Sequence, residues 1–194
     1  MSKLMQGIAT AIVAAALALP ATAQKRSMDV DRSRLTIRVE KGGTFSAFGH
    51  AHQISAPIER GEVNLTKPLA VWFDVKSSGM KVMDPEESED HKAEVQRTML
   101  GAEVLDVEHF PEIHFASDSV EVLSNNHWRV HGQLSLHGQT RPIMLETTLE
   151  KGHYQGTAIV QQTNFGITPI KVAGGTIKVK DEVRIEYDIV LAGQ

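Results

Sequence analysis

Trp128-Arg129-Val130-His131-Gly132-Gln133-Leu134-Ser135-Leu136-His137, then Gly138-Gln139-Thr140-Arg141-Pro142, then Ile143-Met144-Leu145-Glu146, is the stretch that decides the fold. Successive side chains of a β-strand point to opposite faces. Trp128, Val130, Gly132, Leu134 and Leu136 share one face, and Arg129, His131, Gln133, Ser135 and His137 share the other. Gly138 to Pro142 is rich in turn formers, and beyond it Ile143, Leu145 and Leu149 make a second apolar row against Glu146 and Glu150. Two alternating strands joined by a short connection form an antiparallel hairpin with one face inward and one in water.

The same pattern extends in both directions. Leu35, Ile37 and Val39 alternate with polar residues, as do Val71, Phe73 and Val75 against Trp72, Asp74 and Lys76. Ile113 and Phe115 begin a strand that continues through Val120 and Val122; Gly156 to Thr163 forms another. Asn164-Phe165-Gly166-Ile167 ends that strand, and Gly174-Gly175 begins a loop. The last strand is the clearest, with Val183, Ile185, Tyr187, Ile189 and Leu191 set against Arg184, Glu186 and Asp188. The pattern breaks once. Asp84-Pro85-Glu86-Glu87 reads as a helix start, with an N-cap Asp, a Pro at the first helical position and acidic residues in the first turn. A short helix is expected up to Leu100, with Gly101 as its stop. The fold expected is all-β: an antiparallel barrel of about eight strands with one short helix, since closing a sheet removes its edges. A barrel of about eight strands fills with side chains or holds one small ligand. Only 10 residues are Phe, Trp or Tyr, too few to plug the centre, which favours the hollow version.

The first 23 residues stand apart from this domain. Lys3 is their one charge, Ile8 to Leu19 is an apolar run, and Ala21-Thr22-Ala23 has the A-x-A form of a cleavage site. This reads as a secretory signal peptide cut after Ala23, with the domain at 24–194. The apolar run is shorter than the ~20 residues of a spanning helix, and no later run could cross a membrane. Removing 23 of 194 residues and their one lysine takes the formal charge from −4 to −5 and leaves 171 residues. That balance speaks against nucleic acid, which favours a basic face. An exported chain with no cysteine has no disulfides and relies on its core.

Residues 44–58 hold the one chemically unusual element, Gly49-His50-Ala51-His52. In an extended chain His50, His52, Ile54, Ala56 and Ile58 share a face, so two titratable rings start an otherwise apolar inner row. They could sit at a rim, meet a ligand head group, or bind a metal or haem. Zinc sites need three or four protein ligands, and spacing identifies no third; His91, His109, His114 and His137 qualify only if folding brings one close. No nucleophile elbow or cysteine supports catalysis.

The order of motifs resembles the YceI-like family of exported lipocalin-like barrels that bind polyisoprenoid-type lipids. Asp31 to Leu35, Val75-Lys76-Ser77-Ser78, Val104 to Ser117, Val130 to Pro142 and Asn164 to Ile167 are similar to that family's motifs, in order, over nearly the whole domain. The histidine pair places the chain with a branch of the family carrying a G-H-x-H element. The resemblance implies a periplasmic or secreted, non-enzymatic protein that holds an isoprenoid or quinone-like molecule and needs no cofactor. Ligand contact is assigned to Phe45, Phe48, His50, His52, Ile54, Phe73, Phe115 and Phe165. The alternative is a metal- or haem-associated module using His50 and His52. Association as a homodimer stays open.

Overall fold

The hairpin at the centre of the sequence forms as its alternation predicts. The computed structural model describes residues 24–42, 51–172 and 177–193; Phe45, Phe48, His50 and the Gly174-Gly175 loop lie outside the described residues. The hairpin consists of β8 (His127–Leu136) and β9 (Gln139–Glu150). Its turn is tighter than the expected Gly138–Pro142 connection. Only His137 and Gly138 lie between the strands, both at positive φ, 50° and 70°. A two-residue turn of that hand matches the twist of its strands. Pro142 lies inside β9, opposite Gln133. It is tolerated because the pairing of β9 with β10 (His153–Gln161) stops at Glu146–Thr157, so Pro142 needs no N–H on that side.

The remaining strands are β1 (Lys25–Ser27), β2 (Arg34–Gly42), β3 (His52–Ser55), β4 (Ile58–Asn64), β5 (Ala70–Lys76), β6 (Lys81–Val82), β7 (Glu112–Ser124), β11 (Lys171–Val172) and β12 (Ile177–Val190). Every pairing between them is antiparallel. The expected count of eight strands is corrected. Among the described residues the sheet has twelve, eleven of them on one hydrogen-bonded path. β1, β6 and β11 are pieces of two or three residues. The stretch 52–64 is broken at Ala56-Pro57, so that β3 pairs with β2 while β4 pairs with β5. This bent stretch joins the two ends of the curl. A bridge between Met28 and Leu191 ties the end of β1 to the end of β12.

The helix α1 (Glu89–Leu100) starts later than predicted. Its N-cap is Ser88, whose Oγ accepts from His91 N at 3.3 Å. Asp84 satisfies the local capping rule but is taken by a stronger tertiary demand, described below. Gly101 ends the helix as expected, its N–H donating to Arg97 O and Thr98 O. α1 lies at one end of the curled sheet, and its Met99 is buried against the interior. The hairpins 64–70, 124–127 and 150–153 mark the opposite end.

Candidate functional site

The inward rows do not close on one another. Ile143 and Leu145 of β9, Phe73 of β5 and Ile185 of β12 are only half-buried, although they face inward. Rows that packed a solid core would be sealed; these keep exposure because they border a space. That space is a cavity of about 410 Å³, within the ~300–1,000 Å³ range of small-molecule pockets. Its wall is made by β2, β3, β4, β5, β7, β8, β9, β10 and β12, with Met99, Val104 and Leu105 at the helix end. No Asp, Glu, Lys, Arg or His occurs among the described lining residues. The polar exceptions are few: Asn64, Trp128, Thr147, Tyr154, Gln162 and Tyr187.

One close approach shapes the hairpin end. Gly156 of β10 stands between Thr147 of β9 and Tyr187 of β12 in the same cross-strand row. The Tyr187 ring lies across it. Its hydroxyl donates to Glu146 O at 2.9 Å and meets Thr147 Oγ1 at 2.7 Å. A Cβ at Gly156 would clash with Glu146 O and the Tyr187 hydroxyl, and would sit 2.6 Å from Tyr187 Cζ. Burial pushes the Tyr187 phenol above its ordinary value, outweighing the bond from Thr147, and burial also raises Tyr154.

Of the residues assigned to ligand contact, Ile54, Phe73 and Phe115 line the cavity. Phe165 is buried but is not among the lining residues; it closes a 3-10 turn, Gln162–Phe165. Its carbonyl accepts from His137 Nδ1 at 3.1 Å. His137 also packs against Phe110, rings 4.6 Å apart. It is thus a turn clasp, not the solvated residue that strand alternation suggests.

His52 keeps its place in the row with Ile54, Ala56 and Ile58, all buried. It is not, however, among the cavity-lining residues. Its Nδ1 lies 2.6 Å from Asp84 Oδ2, and Asp84 Oδ1 accepts from Gln53 N at 2.7 Å. Asp84 is itself buried, so His52 and Asp84 form a clasp holding β3 to the segment before α1. This is the demand that removes Asp84 from helix capping. Of the four histidines named as a third ligand, His91 comes near, 6.3 Å from His52 between ring centroids.

The ligand-type groups that converge most closely among the described residues are elsewhere: Asp74, Glu112 and His114, on the outer face. Asp74 is buried between Arg60 Nε at 2.6 Å and His114 Nδ1 at 2.5 Å. Burial works against its charge, but the bonds from His114 and Arg60 prevail and hold its carboxyl below the ordinary value. Arg60 also lies over Trp72, 5.9 Å from the ring centroid. A guanidinium already bonded to the central carboxylate makes this an ion-pair network. Sequence reading could not find it, because its members come from β4, β5 and β7.

A curled antiparallel sheet around an apolar interior, with its ionised groups kept out of the wall, defines a barrel protein built to enclose apolar matter. The profile of the YceI-like domain matches residues 27–191, and the chain belongs to that family. Among solved structures it is similar to BcnA of Burkholderia cenocepacia, with 13% identity, a TM-score of 0.67, and coverage of 84% of this chain and 98% of that one. It is similar also to a polyisoprenoid-binding domain of Saccharophagus degradans implicated in plant cell wall breakdown, at 9% identity, a TM-score of 0.54, and 86% and 97% coverage. A Campylobacter jejuni YceI protein matches at 12% identity, a TM-score of 0.50, and 80% and 86% coverage. At these identities the likeness is one of fold. A comparison with curated proteins gave no match.

Proposed function

We propose that this protein is an exported binding protein, not an enzyme, which carries an isoprenoid or quinone-like molecule inside its barrel. The observation that carries the proposal is the wall: a cavity of about 410 Å³ without an Asp, Glu, Lys, Arg or His among its described lining residues. Such a wall offers an apolar chain a dry surface at about 25 cal/mol per Å² buried. The similarity to a polyisoprenoid-binding domain supports the same ligand class. The leader at 1–23, cleaved after Ala23, would deliver the domain to the periplasm or the exterior. Among the described residues no helix is long and apolar enough to cross a membrane.

Native mass spectrometry of protein extracted without detergent from its own cell envelope tests the ligand. The expected result is a bound apolar molecule that survives His52→Ala, because His52 stands outside the described wall. Protein that carries nothing and takes up no prenyl lipid in titration would defeat the proposal. Sequencing the N-terminus of the same material should find Gln24 first.

A further inference from the structure

The few polar groups of the cavity are unevenly placed and unevenly used. Gln162 lies toward α1, whereas Asn64, Trp128, Thr147, Tyr154 and Tyr187 lie toward the hairpin end. Most have partners. Gln162 Nε2 donates to Lys180 O at 2.8 Å. Asn64 is absorbed by its own turn, donating to Pro68 O and accepting from Thr66. Tyr187 and Thr147 bond to each other and to Glu146 O.

Trp128 and Tyr154 are different. Among the described residues neither the indole N–H nor the phenol hydroxyl has a hydrogen-bond partner. Neither group is sealed in, since no enclosed side-chain nitrogen or oxygen among the described residues lacks a partner. Both residues line the cavity. They act together: their ring centroids are 5.9 Å apart with a 41° tilt. Trp128 is opposite Thr147, and Tyr154 is opposite Leu149 on one side and Ile189 on the other. Trp128 and Tyr154 thus adjoin the closed Tyr187–Thr147 pair.

We propose that Trp128 and Tyr154 are the head-group subsite of the cavity, and that they select an amphiphile with an uncharged, hydrogen-bond-accepting head such as a quinone carbonyl. The head lies at the hairpin end and the tail runs toward α1. This rests on the carrier reading above. The chemistry follows from the donors. An indole N–H only donates, and a protonated phenol can donate as well. Two neutral donors in an apolar wall satisfy carbonyl oxygens. A phosphate would bring charge into a wall whose described lining holds no cation, at high desolvation cost. Arg26, the cation whose field reaches Tyr154, is not in the wall, and its guanidinium is on the Ala192 carbonyl.

The test uses the full domain and three probes: a benzoquinone bearing two prenyl units, squalene, and farnesyl phosphate. Tyr154→Phe keeps its ring and removes the donor; Trp128→Phe removes the donor and leaves a smaller aromatic ring. Each should weaken quinone binding about three- to tenfold beyond any change in squalene binding, the range for one lost hydrogen bond. Squalene also shows that each variant is folded. In a Trp72→Phe background, which leaves Trp128 as the sole indole of the two tryptophans, the quinone should quench emission and squalene should not. Quinone binding unchanged in the double variant, or farnesyl phosphate binding more tightly than the quinone, overturns the subsite. Absence of saturable binding of both quinone and squalene to the parent protein defeats the carrier reading itself.

Discussion

Gly156→Ala is the substitution whose cost the structure defines most sharply. The added methyl would meet Glu146 O and the Tyr187 hydroxyl inside contact distance, and Tyr187 Cζ at 2.6 Å. Two of these contacts belong to a ring that can move; the third is backbone of β9 and can move only with the strand. Overpacking of a fixed site costs about 1–3 kcal/mol. If the ring swings away, its bonds to Glu146 O and Thr147 Oγ1 are lost, adding about 1–3 kcal/mol for the two. The sum is about 2–6 kcal/mol, and in a domain of this size each kcal/mol lowers Tm by about 2–4 °C. The displaced ring has one open direction, the cavity, so ligand capacity should fall as well. Urea unfolding of Gly156→Ala, Tyr187→Leu and the double variant measures the parts. The double variant should regain the ring's share relative to the sum of the singles and retain the backbone share. Additive singles, or a Gly156→Ala protein within about 0.5 kcal/mol of the parent, the usual scatter of an inconsequential surface change, would show that the ring does not depend on the missing side chain.

Asp84→Ala strips His52 of its partner and leaves Gln53 N unbonded; with both acidic and imidazole groups buried, the loss should be about 2–4 kcal/mol in chemical denaturation, summed over two broken bonds. Asp84→Ser, in contrast, should recover part of it if the Gln53 bond matters separately. Asp74 predicts an acid response. Its folded pKa is depressed, so its contribution is complete above the ordinary carboxylate value of about 4 and is lost as pH falls through the lower folded value. The parent's stability advantage over Asp74→Asn should therefore shrink between about pH 5 and pH 2; a constant difference would refute the pairing. Phe165→Ala, at a fully enclosed ring outside the cavity wall, should cost about 3–5 kcal/mol, whereas Phe73→Asp should remove ligand binding and lower Tm, because it puts an unpaired charge into the wall. Calorimetry on both separates packing from lining.

Much of the wall was legible because each strand has one buried face, and a period of two marks it. Most of the rows through Trp128, Ile143 and Val183 line the cavity as read, whereas Leu149 and the buried Leu191 are not among the lining residues. The hollow was legible only as a shortage of rings. What stayed hidden depends on partners distant in sequence. His52 and Asp84 are 32 residues apart, and nothing local distinguishes a histidine that clasps a loop from one that greets a ligand. Asp84-Pro85 even obeys the helix-start rule, which a tertiary bond then overrides. Gly156 and Tyr187 likewise become a unit only when β10 and β12 pair. The strand count failed for a related reason: Pro57 interrupts a stretch whose two halves serve different neighbours.

The placement of charge explains how an apolar hollow can be maintained. Side chains that border a cavity make fewer protein–protein dispersion contacts than those of a filled core, so the shape of the wall relies on groups beyond it. Here the fixing groups sit outside the wall or beyond its ends: the Arg60–Asp74–His114 network on the outer face, and the His52–Asp84 and His137–Phe165 clasps at the α1 end. Cross-strand pairs such as Arg38–Glu186 and Arg129–Glu146 continue the pattern on the outside, though each such exposed pair contributes little alone. The consequence is a separation of roles along the barrel. The histidine-bearing end near His52 secures the helix and its approach, while the unpartnered donors lie at the opposite, hairpin end. Changes around His52 should thus alter how firmly the helix end is held, and changes at Trp128 and Tyr154 should alter which head group is accepted, because no described side chain belongs to both sets.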